Sequence, residues 1–400
     1  MITIKRTWSD GITVFSALLG MGVKCGPIPV LDEIGLVAGT LLRFKYPIRV
    51  HINIYTLTLF YFALIYLAGF LLHHNINTLR YVAIGLLLIV YGELKASYLT
   101  RKSILFAAVI YLLFSIFIPL YGLLYGLDVA WWQNGVWTGT AYSSIGIFVS
   151  AITIVLLSLN NSYGIVAIAM MYAIGTLTDS RFTILLLCIV VATYLIKIAH
   201  DMAISRVIKR TITLALLIIF GLILIFNIPG LKDIDLFNIQ LSQLKSISST
   251  ILSVVSDDAT RDEDRKDNNS AVLSLTTIEP FSAVMGSGGL SHQKDMANYV
   301  RASLDGRVRP VGFPAIVFDG GWIFFLLITA CSIKTLFITH KKYNYAPLFL
   351  KLGVMSFPAV AFLSIFITNS LDAVLFWLMI SPVGLPSFMV ESWYCQPPHA

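Results

Sequence analysis

Residues 162–196 read SYGIVAIAMMYAIG-TLTD-SRFT-ILLLCIVVATYLI, two apolar runs parted by one short polar gap. Each run is too long for a strand and carries no alternation of polar and apolar residues, so each reads as a helix. The gap holds Asp179, Ser180 and Arg181 side by side. A turn between two helices needs no cation, so the arginine calls for a reason of its own.

The rest of the chain repeats the pattern. Of its 400 residues, 57% are hydrophobic and 12% are charged, against about 25% charged in an ordinary soluble protein. Mean hydropathy is +0.83. Apolar surface on this scale has lipid as its solvent, which predicts a polytopic membrane protein. The net charge of +7 is spread over bases that flank apolar runs, as the positive-inside rule expects, so no nucleic-acid partner is expected. Cys25, Cys188, Cys331 and Cys395 are far apart, with neither metal spacing nor a disulfide framework. The N-terminus places Lys5 and Arg6 before an apolar run, but no A-x-A-like cleavage site follows, which reads as an uncleaved first span.

A span needs about 20 apolar residues, somewhat fewer where helices are short. Candidates are 10–24, 27–42, 52–72, 81–99, 103–125, 141–158, 163–178, 182–198, 212–228, 313–333, 347–368 and 372–390. Lipid leaves no partner for unpaired backbone, so these are read as helices. The expected fold class is therefore all-α, with about twelve transmembrane helices. Orientation follows from bases in short loops. With the N-terminus inside, Lys5, Arg6, Arg43, Lys45, Arg49, Arg101, Lys102, Lys197, Arg206, Lys209, Arg210, Lys334, Lys341 and Lys342 are cytoplasmic, and only Lys24, Arg80 and Arg181 lie in short outer loops. Both termini are then cytoplasmic.

The expected organisation is helices 1–9 in residues 1–228, a large external loop over 229–312, helices 10–12 in 313–390 and a cytoplasmic tail from 391 to 400. The loop contains a helix-like stretch, IQLSQLKSISSTILSVV, and a solvated charged turn, DDATRDEDRKDNN. A loop of this size is commonly either functional or disordered. Arg301, Arg307 and Arg309 then share the outer face with Arg181. Cations gathered where the topology rule disfavours them suggest an anionic ligand.

Several features together resemble the O-antigen polymerases of the Wzy type, within a wider group that includes the O-antigen ligases. They are about twelve spans, a large outer loop before the last three, Ser180-Arg181 at an outer helix end, Gly286-Ser287-Gly288-Gly289 in the loop, and FPAIVFDGGWIFFLL over 313–327. The family's S-R-G has Phe182 in place of glycine, and the ligases' histidine near the last helices is absent from RVRPVG at 307–312. The resemblance implies a glycosyltransferase of the bacterial inner membrane. It would join lipid-linked repeat units by transferring glycan from undecaprenyl pyrophosphate at the periplasmic face. No cofactor is implied, and a chain-length regulator is the protein partner it suggests.

Departure of a lipid pyrophosphate builds negative charge, and a fixed cation in a water-poor site stabilises it. An arginine fork holds two phosphate oxygens and stays protonated. Arg181 is thus the expected pyrophosphate clamp, beside Ser180 and Asp179; the plainer reading is an interfacial arginine that pairs with Asp179. Arg301, Arg307 and Arg309 are a second candidate set, or a solvated face. The acceptor hydroxyl needs a proton acceptor, with His292, Asp319, Glu279 and Asp179 as the external choices. Asp319 could instead pair with Arg309 at the interface. Trp131 and Trp132, in YGLDVAWWQNGVW, suit sugar stacking or an interfacial belt. Asp32 and Glu33 either line an external cavity or mark a helix start. The rival functions are an O-antigen ligase acting on the lipid A core and, from another class, a flippase for lipid-linked oligosaccharide.

Overall fold

The computed structural model describes residues 2–23, 30–44, 50, 52–74, 76–95, 105–106, 108–110, 112–113, 142–159, 161–177, 181–201, 280–289, 313–344, 346, 348–367, 371 and 373–394. Among the described residues the protein is helical and has no strand. The elements are α1 (Ile2–Val23), α2 (Leu31–Arg43), α3 (Ile54–His73), α4 (Asn77–Tyr91), α5 (Tyr142–Leu159), α6 (Asn161–Leu177), α7 (Arg181–Asp201), α8 (Pro280–Met285), α9 (Phe313–Lys342), α10 (Leu348–Ile367), α11 (Val374–Ile380) and α12 (Leu385–Tyr394). Two stretches, Ile54–Leu72 and Ala315–Lys342, are long and apolar enough to cross a membrane, and shorter apolar helices accompany them. The expected spans 103–125 and 212–228 lie largely or wholly outside the described residues.

Local chemistry fixes the helix ends. Asn53 caps α3 by accepting a hydrogen bond from Thr56 N at 3.0 Å, which satisfies one of the orphan N–H groups of the first turn. His74 closes the same helix in the left-handed region, φ 52°. The α1–α2 pair is built on small residues. Gly35 and Gly39 face Ser16 and Thr13, and a Cβ at Gly35 would fall 1.6 Å from Ser16 Oγ. Ser9 Oγ donates to Gly39 O at 2.7 Å. Close backbone approach of this kind is how helices associate when lipid removes the hydrophobic incentive. The core joins α3, α9 and α11 through rings: Phe62 lies 4.7 Å from Trp377 and 6.0 Å from Phe324, centroid to centroid.

Two expected spans are corrected. The run 313–333 extends to Lys342 and is broken at Gly321, whose φ of 70° and ψ of 177° interrupt the helix. The run 372–390 is two short helices separated at Ser381–Gly384. The cause is Pro382, which pushes the preceding residue out of the helical region; Ser381 is extended, with φ −79° and ψ 127°. Pro386 is harmless because it falls in the first turn of α12, where its missing N–H would be unpaired anyway. The carbonyl of Ile380, released by the break, is recovered by Thr335 Oγ1, which donates at 2.5 Å, and by the Cys331 thiol at 3.5 Å.

The helix ends sort into two sets. At one end Glu33 of α2 pairs with Arg80 of α4, Nε to Oε1 2.6 Å, and the start of α11 meets Asp32. At the other end Arg43, Tyr91, Lys95 and Asp10 converge, Leu94 N donates to Val383 O at 3.0 Å, and Tyr343 OH donates to Ser387 O at 3.4 Å. Lys197 of α7 donates to Leu157 O of α5, so Arg181, at the start of α7, lies at the far end from that contact. The second set carries most of the described cations, including Arg43, Lys95, Lys197, Lys341 and Lys342.

Candidate functional site

Arg181 is the first residue of α7, and α6 ends at Leu177. The start of α7 lies at the cation-poor end, away from the contact that Lys197 makes at its other end. Asp179, Ser180, His292, Arg301, Arg307, Arg309, Trp131 and Trp132 lie outside the described residues. Among the described residues no three metal-binding side chains come together.

Asp319 is described, and it is 4% exposed. It sits in the last turn of the half-helix 313–320, just before the Gly321 break. A helix that stops there leaves its final carbonyls unpaired. The glycine turn of the long loop supplies the donors: Ser287 N binds Phe318 O at 2.9 Å, and Gly288 N binds Asp319 O at 3.0 Å. Gly289 N binds Ile65 O of α3 at 2.9 Å. Tyr61 OH donates to Met285 O at 3.2 Å and approaches Gly320 O at 3.5 Å. The motif GSGG thus works through its backbone, as a clasp between α3 and α9.

Glycine is required on both sides of the clasp. Gly286 and Gly288 have φ of 86° and 99°, and a Cβ at Gly286 would meet Asp319 O at 2.3 Å. A Cβ at Gly69 would meet Gly289 O at 2.2 Å. The sequence singled out GSGG and FDGGW separately; it held no sign that the two touch, or that Gly69 and Tyr61 receive them.

A second polar site lies at the cation-poor end. Asp32 is fully buried, and its Oδ2 accepts Val374 N of α11 at 3.2 Å. Its Oδ1 meets no donor among the described residues. Of the two expected readings for Asp32 and Glu33, the helix start is what the structure displays, since both fall in the first turn of α2.

At the cation-rich end, Asp10 gathers donors from three places. Tyr91 OH reaches Oδ1 at 2.7 Å, Lys95 N reaches Oδ2 at 2.5 Å, and Arg43 Nη2 lies 3.6 Å from Oδ1. Arg43 also donates to the carbonyls of Tyr91 and Glu93, and its guanidinium stands 4.3 Å over the Tyr91 ring. Sequence reading assigned Arg43 only a topological role and gave Asp10 none. Chemically this is a buried ionic knot in which both oxygens of Asp10 have partners.

No protein-family model matches the chain, and no curated protein is detectably similar to it.

Proposed function

We propose that the protein is a polytopic membrane glycosyltransferase of the O-antigen polymerase kind, with about twelve spans and both termini cytoplasmic. The observation that carries the reading is the place of Arg181, at the first position of α7, on the end away from the cations. An arginine there stands at head-group depth of the outer leaflet, where the topology rule gives it no reason to be.

In this reading Arg181 binds the pyrophosphate of the donor lipid. The bond between the anomeric carbon and the pyrophosphate oxygen breaks, and the acceptor hydroxyl oxygen bonds to that carbon. The hydroxyl proton passes to a base, and undecaprenyl pyrophosphate leaves with its charge against the guanidinium. His292 and Asp319, whose backbone carbonyl the glycine clasp binds, are the candidates for proton acceptance. Ser180, Asp179, Arg301, Arg307, Arg309, Trp131 and Trp132 remain its proposed binding residues, with a chain-length regulator as partner.

A second reading, a carrier for lipid-linked oligosaccharide, is favoured by the interruptions in α9 and between α11 and α12, because discontinuous helices line substrate sites in transporters. One experiment separates these and the ligase. Surface lipopolysaccharide from a deletion strain is run on a gel, with complementation by wild type or Arg181→Ala. Core plus a single repeat unit, not restored to a ladder by Arg181→Ala at normal protein level, supports the polymerase. Bare core with polymer still on its lipid carrier supports the ligase. Bare core without external lipid-linked polymer supports the carrier and removes the clamp.

A further inference from the structure

The register of the glycine clasp on α3 has a consequence for depth. α3 has 20 residues, about 30 Å at 1.5 Å per residue, which is the thickness of a bilayer's hydrocarbon. The clasp does not meet α3 at its end. Gly289 N binds Ile65 O, about 12 Å below His73. Tyr61, which holds Met285 O, is about 18 Å below His73. A segment that the sequence assigns to an external loop therefore touches the middle of a spanning helix.

Two further observations agree. Irregular backbone at lipid depth survives only where protein satisfies it, and the N–H groups of 286–289 are all taken, by Ser282 O, Phe318 O, Asp319 O and Ile65 O. On the short helix α8, Ala283 is buried, while Phe281, Val284 and Met285 are 77%, 46% and 41% exposed. An aqueous loop would leave that apolar face in water, whereas a face at the depth of Tyr61, which holds Met285 O at the end of α8, would meet acyl chains.

We propose that residues 280–289 form a re-entrant arm, which dips from the outer surface to the middle of the bilayer and presents Phe281, Val284 and Met285 to lipid chains. This holds whatever reaction the protein performs, and it makes the polar carboxylate of Asp319 a group held within the hydrocarbon slab. Ionisable groups there are costly and are kept for function.

The test uses α3 as a ruler. Leu64 and Leu72 are both exposed, at 44% and 65%, in the middle and at the end of the helix. Cysteine is placed at position 281, 64 or 72 of the full chain, in a background with the four native cysteines replaced, and each is spin-labelled in liposomes. Collision with oxygen is compared with collision with a water-soluble nickel chelate. The arm predicts that Phe281→Cys matches Leu64→Cys; a match to Leu72→Cys, or greater nickel access, overturns it. A photoreactive benzoylphenylalanine at 281 in the otherwise native chain gives a second reading. Cross-links to phospholipid acyl chains are expected, and cross-links to protein or water alone overturn the arm.

Discussion

Asp10 shows how much one side chain can hold at an otherwise apolar helix. It is fully buried and ties α1 to Arg43 of α2 and to Tyr91 and Lys95 at the end of α4. Burying a charge is expensive, and removing one member of a buried pair leaves the other uncompensated. Asp10→Ala should lower stability by about 3–5 kcal/mol, read as a loss of thermal midpoint in detergent. Adding Arg43→Met should restore part of that loss, because the stranded guanidinium is removed as well. Failure of the double variant to recover would show that Arg43 acts through its carbonyl bonds instead. The partners of Asp10 were not legible from sequence, since they lie 33 to 85 positions away and no helical period relates them. The position of Arg181 at a helix start was legible, because a polar gap between two apolar runs is a local signal.

At the scale of elements, the apolar runs that fall among the described residues are helical, and where their bounds differ the difference is informative. Hydropathy detects Ala315–Lys342 as one greasy stretch, but it cannot see that Gly321 adopts φ 70°, since FDGGW is compatible with a continuous helix until a neighbour claims its carbonyls. The break at Pro382 was readable in principle, because a proline restricts the residue before it whatever the surroundings. The clasp was not, since it needs α3 and α9 in place before GSGG has partners. Two glycines measure its tightness. Gly92 and Gly286 both have positive φ, but a Cβ at Gly92 meets nothing within 4 Å, whereas one at Gly286 meets a backbone carbonyl at 2.3 Å. Gly92→Ala should cost only the backbone strain, about 1–3 kcal/mol. Gly286→Ala should cost more than that and should detach the arm, giving faster proteolysis around residue 286 while α3 and α9 stay protected. Equal effects of the two substitutions would mean that the clasp is loose.

Over the described helices, the contacts sort the ends into two sets. Arg80 and Arg181 fall at one end, and Arg43, Lys95, Lys197, Lys341 and Lys342 at the other. That sorting agrees with a chain that crosses a membrane back and forth, and the proposed topology puts the cation-rich set inside. In intact spheroplasts a membrane-impermeant maleimide should label Asn75→Cys, in the link between α3 and α4, and spare Asn344→Cys, after α9, until the membrane is permeabilised. The reverse pattern would invert the topology and remove the outer-face site altogether. Such an ordering is what sequence reads best, because it depends on charge and run length alone. The contents of the outer face are read less well, since they depend on which loop residues fold back.

The seven residues of α11 are all buried, and its first N–H rests on a carboxylate 342 positions earlier in the chain. During synthesis, at about 5–20 residues per second, the wait between the two is roughly 20–70 s. For that interval Asp32 is in a membrane without the donor that later receives it. The fully packed state of the first helices thus waits on the last tenth of the chain, and a chain that stops short of Val374 lacks the donor that Asp32 Oδ2 accepts.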